Sequence, residues 1–192
     1  MSKKPSRPLT LQNPATTETY TFLERARDTA GQLLRLRWSA EAGGEVGEHI
    51  HPLQEERFEV TAGELTVSLD GAETCCSAGQ SISVPPGRRH FFANRGSEPV
   101  AAILELRPAL RMEEVFESLA GFAREGKARA GGLPRNPLQL AVFAWEFRRE
   151  IRGPRPPRAV QAAVLPPLAL LGRVLGYRAH REEYRADLVG RA

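Results

Sequence analysis

The stretch GGEVGEHIHPLQEERFEVTAG, residues 43–63, decides how this chain is read. His49 and His51 stand one residue apart, followed by the glutamate pair Glu55 and Glu56 and an alternating run into Gly63. Alternate residues of an extended strand share a face, so the two imidazoles project the same way, about 6–7 Å apart along the chain. Two ring nitrogens so placed can converge on one ion at a metal–nitrogen distance of about 2.1 Å. In the next strand Glu56, Phe58 and Val60 share one face, and Arg57, Glu59 and Thr61 the other. The apolar pair marks the inward face, and Glu56 travels with it. A carboxylate facing a core needs a cation or a metal. Glu55 is expected to face solvent.

The histidines number four: His49, His51, His90 and His180. His90 begins a strand after the turn around Pro85 and Gly87 in GQSISVPPGRRHFFAN, so three of the four can point into one β domain. Three imidazoles and one carboxylate make a mixed N/O donor set. It suits divalent Mn, Fe, Co, Ni, Cu or Zn better than Ca or Mg. By strand parity Trp38 shares its face with Leu34 and Leu36, Phe58 turns inward, and His90 takes Phe92 with it. Trp38, Phe58 and Phe92 are the expected walls of a substrate pocket, apolar enough to favour a modest organic ligand over a sugar phosphate. Gln54, between the ligand strands, is expected in a solvent-facing turn.

Around this stretch the chain divides in two. Residues 1–17 are polar and rich in Pro, Ser and Thr, an arm with little structure of its own. Residues 18–108 read as short alternating strands: TYTFLER, QLLRLRWSA, GEHIHP, ERFEV, ELTVSL, AETCCSA, QSISVP, HFFAN and VAAILELR. SLDGAE places Asp70-Gly71 between two such runs, a hairpin signal. Many short strands without intervening helices predict an antiparallel sandwich or barrel. Residues 109–192 read as helices. Met112, Val115, Phe116, Leu119 and Phe122 recur at intervals of three and four. Asn136 is placed as an N-cap with Pro137 at the first helical position. A third helical stretch, VQAAVLPPLALLGRVLGY, is expected to break or kink at Pro166-Pro167.

Charge is uneven. Residues 1–120 hold 13 Lys+Arg against 17 Asp+Glu, and residues 121–192 hold 14 against 6, giving −4 and +8. Acidic residues interspersed among the arginines and sparse aromatics argue against a nucleic-acid surface. Cys75 and Cys76 are adjacent and so point to opposite strand faces, which disfavours a disulfide between them. No apolar run approaches the roughly 18 residues of a membrane-spanning helix. MSKKPSRPLT lacks the apolar core of a secretion signal, so a cytoplasmic location is expected. Phe143, Trp145, Phe147, Ile151, Val164, Leu168, Leu171, Val174 and Leu175 must cover the barrel, pack in a dimer or touch a membrane, because their exposure would cost on the order of several kcal/mol. A homodimer is expected ahead of contact between a basic amphipathic helix and an anionic membrane.

The chain resembles the cupins. The first cupin motif is Gly, five residues, His-x-His, four residues, Glu, six residues, Gly, matched by Gly43, His49, His51, Glu56 and Gly63. The second is matched by Gly79, Pro85, Gly87, His90 and Asn94, with Glu64 to Ala78 as a short intermotif segment. The resemblance covers roughly residues 30–107, and the whole chain is similar to bacterial single-cupin proteins with a helical C-terminal tail. It implies a mainly β, antiparallel jelly-roll barrel followed by a C-terminal α-helical extension. It also implies metal ligands His49, His51, Glu56 and His90. Such a site implies a metal-dependent enzyme, of the oxygenase type, acting on a small organic molecule. Glu56 would detach from the ion to serve as a base. A metal-dependent sugar or keto-acid isomerase and a non-catalytic binding or sensing barrel are the alternatives. Direct DNA contact is disfavoured, because too few residues precede the barrel for a helix-turn-helix domain and prolines interrupt the C-terminal helices.

Overall fold

The structure, a computed structural model, describes residues 9–185. Ten strands form two antiparallel sheets: β1 (Thr10–Asn13), β2 (Glu18–Glu24), β3 (Leu34–Ala40), β4 (Glu45–Ile50), β5 (Glu55–Ala62), β6 (Glu64–Leu69), β7 (Ala72–Ser77), β8 (Ser81–Val84), β9 (Arg89–Ala93) and β10 (Val100–Arg107). One sheet runs β1-β2-β3-β10-β5-β8 and the other β4-β9-β6-β7. Alternation builds the core between them. In β3, Leu34, Leu36 and Trp38 are buried while Arg35 and Arg37 lie outward, and β10 buries Val100, Ala102, Leu104 and Leu106 in the same rhythm. The β6–β7 hairpin closes on Asp70-Gly71, both at positive φ (49° and 92°), as a two-residue turn of that composition requires.

Nine of these strands coincide with the runs expected from alternation. The tenth, β1, lies inside the stretch expected to be an unstructured arm. Thr10–Asn13 pairs with β2, and Leu11 is fully buried against the core. Four residues with two inward side chains are too short a pattern to stand out among prolines and threonines, and pairing to β2 supplies what propensity does not.

Three helices follow, α1 (Met112–Arg124), α2 (Pro137–Glu146) and α3 (Arg158–Val174), and then a short 3-10 turn at Glu182–Tyr184. α1 lies across the end of the barrel, its Phe116 ring stacked on Tyr20 of β2 at 4.5 Å between centroids. α2 starts as its sequence demands: the Asn136 side chain accepts hydrogen bonds from the backbone N–H of Leu138 and Gln139, and Pro137 needs no partner at the first position. Its Phe143 and Phe147 are buried with Phe122 of α1. Of the break or kink expected at Pro166 and Pro167, the break does not occur, since α3 runs through both. The carbonyls that lose helical donors there belong to Ala162 and Ala163, which are exposed, so water can serve them. Gln54 also departs from expectation. It is fully buried, and its Nε2 donates to the carbonyls of Pro108 and Ala109, tying the turn after β4 to the start of the helical region.

Candidate metal centre

The two sheets contribute unequal shares to one cluster. β4 and β9 pair so that His49 lies directly opposite His90, and His51 follows one residue past the end of β4. Glu56 comes from β5 in the other sheet. β4 carries a register shift between Val46 and His49, a bulge that re-aims the strand. The bulge also turns the Gly47 carbonyl back to the His49 ring, 2.8 Å from Nδ1. All four side chains are buried, and one ligand atom from each lies within 4.8 Å of the others. The sequence-derived set His49, His51, Glu56 and His90 is therefore brought together in full.

Hydrogen bonding to the rings says which nitrogens face inward. His49 Nδ1 meets the Gly47 carbonyl, His51 Nδ1 the Glu150 carbonyl at 2.7 Å, and His90 Nδ1 the Arg88 carbonyl at 3.1 Å. A carbonyl only accepts, so each Nδ1 carries the proton, and in a neutral ring Nε2 is then a lone-pair donor to a cation. Two of those Nε2 atoms meet Glu56, with His90 at 3.0 Å from Oε2 and His51 at 3.6 Å from Oε1. A lone pair facing a carboxylate across 3.0 Å needs a proton or a metal between them. The donor set thus fits a divalent transition ion on its own chemistry.

Electrostatics agrees. Burial, reinforced by the neighbouring His90 and His51, lowers the His49 pKa to about 3, so this ring stays neutral and ready to ligate. Burial alone would raise the Glu56 carboxyl, but His51 and His90 outweigh it and hold the group anionic. Burial opposes charge on His90, and the hydrogen bond to Glu56 overcomes it, so its pKa is raised.

A narrow cavity of about 40 Å³ opens beside the cluster. Phe92 lines it. Trp38 and Phe58 do not form its wall: they lie beneath, packed edge-on with each other (5.7 Å) and against Phe92 (5.5 and 4.9 Å). Strand parity identifies a residue's face but not its depth, and these two rings fill the barrel floor. Of the remaining apolar wall, Tyr20, Val46 and Leu104 belong to the barrel, and α1 adds Met112, Val115, Phe116 and Leu119, with Ile151 beyond α2. The helical extension thus closes the barrel mouth of its own chain.

The lining also holds residues that sequence reasoning missed: Asn13, Thr16 and Glu18, all buried. Glu18 accepts from Thr16 Oγ1 at 2.5 Å and from Trp38 Nε1 at 2.8 Å. Burial raises its pKa against those hydrogen bonds, with the Glu56 charge adding to the rise. A signal was present. Glu18 shares its strand face with Tyr20 and Phe22, the same parity argument that singled out Glu56.

Comparison with known proteins places the barrel. Residues 36–105 match the family model described as the cupin domain. A polyketide synthase protein, CurC, of Streptomyces cyaneus is 38% identical over 66 residues, covering 34% of this chain and 43% of that protein. The tetracenomycin polyketide synthase protein TcmJ of Streptomyces glaucescens is 30% identical over 66 residues, covering 34% of this chain and 44% of its own. The chain therefore spans under half the length of these curated relatives. Among solved structures, a predicted oxalate decarboxylase from Thermotoga maritima superposes with a TM-score of 0.50 at 18% identity, over 56% of this chain and 99% of that one, a likeness of fold.

Proposed function

We propose that this chain, whose barrel belongs to the cupin superfamily, holds one divalent transition ion at His49, His51, Glu56 and His90 and works with it as an enzyme of the oxygenase type on a small organic molecule. The observation that carries the reading is the tautomer set: three Nδ1 atoms engaged by backbone carbonyls leave three Nε2 lone pairs beside one buried carboxylate. An iron or similar redox-active ion would supply Lewis acidity and the activation of dioxygen.

The chain's own residues do the rest. Glu56 is the candidate base, and Oε1 is the atom to take a proton, because His51 holds it at 3.6 Å whereas His90 holds Oε2 at 3.0 Å. Asn13, Thr16 and Glu18, which line the same cavity, offer hydrogen bonds to a substrate hydroxyl or carbonyl. Met112, Val115 and Phe116 exclude water from the cavity. Pockets for drug-sized ligands are roughly 300–1,000 Å³, and this one is about 40 Å³. The substrate is thus either a few heavy atoms in size or is admitted by displacement of α1. The polyketide synthase names of the curated relatives support a phenolic or keto compound.

The test is oxygen uptake by Fe(II)-loaded, untagged protein across a panel of phenolic and keto-acid compounds. Substrate-dependent uptake that disappears in Glu56→Gln is the expected result. Stoichiometric iron with ligand-dependent melting shifts but no uptake would contradict turnover and leave a binding barrel.

A further inference from the structure

α3 is built inside out. Its inward face, packed on α2, carries the small residues Ala169 and Gly172, both buried. A Cβ on Gly172 would come within 2.6 Å of Val142 Cγ2 and 3.0 Å of the Leu138 carbonyl oxygen, so the two helices meet nearly backbone to backbone. The large apolar residues face the other way. Val160, Val164, Leu168, Leu171 and Leu175 recur at intervals of four, four, three and four, one stripe of a helix, and they are exposed by 37–60%. Leu170 and Val174 widen the stripe and are 65% and 76% exposed. A helix serving only to cap the barrel would bury these side chains and show its small ones to water.

The charges around the stripe are of one sign. From Ile151 to Arg181 the chain holds six arginines and neither Asp nor Glu. Arg152, Arg155 and Arg158 lead into α3, and Arg173, Arg178 and Arg181 stand at or beyond its end. Arg173 pairs with Glu146 and Arg181 with Glu125. Arg152, Arg155, Arg158 and Arg178 have no carboxylate partner among the described residues. The partner must therefore be both apolar and anionic. Nucleic acid supplies the charge but nothing to cover leucines, and two-fold pairing with a second copy of α3 would set arginine against arginine.

We propose that the outward face of α3 docks on an anionic lipid bilayer, with the helix lying in the interfacial plane, its leucines and valines among the acyl chains and the bracketing arginines at lipid phosphates. At 17 residues the helix is about 25 Å long, and no described helix is long and apolar enough to cross a membrane, so it lies on the surface.

Sedimentation of full-length, metal-loaded protein with phosphatidylcholine vesicles, with and without phosphatidylglycerol, tests this. We expect binding at least about ten-fold stronger to the anionic vesicles, weakening as salt is added. The double variant Leu171→Glu, Leu175→Glu should lose vesicle binding while keeping its metal content and circular dichroism. Arg155→Gln with Arg158→Gln should weaken it several-fold. Equal, low binding to both vesicle types would overturn the proposal, and so would anionic binding unaffected by the leucine variant. A dimer in light scattering that the leucine variant dissociates would assign the face to a second copy and overturn it as well.

Discussion

The cluster between the sheets and the outward face of α3 are opposites in composition and share one anomaly. At the cluster, three imidazoles and a carboxylate sit where apolar side chains ordinarily lie. On α3, leucines and valines sit where polar ones ordinarily lie. Each placement is costly for folding alone, because buried polar groups need partners and exposed apolar area forgoes about 25 cal/mol per Å². The cluster shows what makes its arrangement tolerable: every Nδ1 is satisfied by a backbone carbonyl, and the inward nitrogens lack only a cation. The α3 face has no counterpart among the described residues. Between them lies the ordinary interior, where Trp38, Phe58 and Phe92 simply pack.

Substitutions can sharpen that contrast. The largest stability loss should come from the interior, where Phe58→Ala removes a fully buried ring and should cost about 3–5 kcal/mol in urea unfolding. A loss below about 1 kcal/mol would mean that the floor beneath the cluster is not tightly packed. Gly172→Ala, on the small-residue side of α3, should cost about 1–3 kcal/mol, because its methyl must displace α2. An unchanged unfolding midpoint would show that α3 does not meet α2 as closely as described.

A smaller effect separates Glu18 from the ligands. Its folded pKa is raised above the usual 4.5, so its contribution to stability is complete below pH 4.5 and is lost as pH rises through the folded value. Glu18→Gln cannot ionise and keeps the shape. The variant should therefore gain on the parent as pH rises above 4.5 when both are unfolded in urea. A pH-independent difference would contradict the raised Glu18 pKa. The smallest effect belongs to the outer face, where Leu171→Ala should shift stability by no more than about 0.5 kcal/mol. A larger loss would show that the stripe is covered within the chain.

What was legible in the sequence follows from the same contrast. The barrel and its four ligands announce themselves because spacing and alternation are local: Gly43 to Gly63 and Gly79 to Asn94 hold the whole donor set. Depth is not local, so Trp38 and Phe58, expected at the pocket, lie beneath its lining and pack against Phe92. Contacts across long sequence separations were illegible. Nothing near His51 indicates that its ring is oriented by the carbonyl of Glu150, 99 residues on, or that Ile50 and Arg152 form a β-bridge beside it. The helical extension read as apolar in bulk, but only the structure divides it into a part that closes the barrel mouth and a part that faces outward.

Those orienting contacts make the candidate metal centre the joint product of barrel and extension, and its occupancy tests the account most directly. Elemental analysis of untagged protein, after loading and desalting, should find one divalent transition ion per chain, and His51→Ala should release it while the β-sheet circular dichroism persists. A wild-type barrel that stays empty after exposure to Fe, Mn, Co, Ni, Cu and Zn, or a His51→Ala variant that keeps a full complement, would contradict the account.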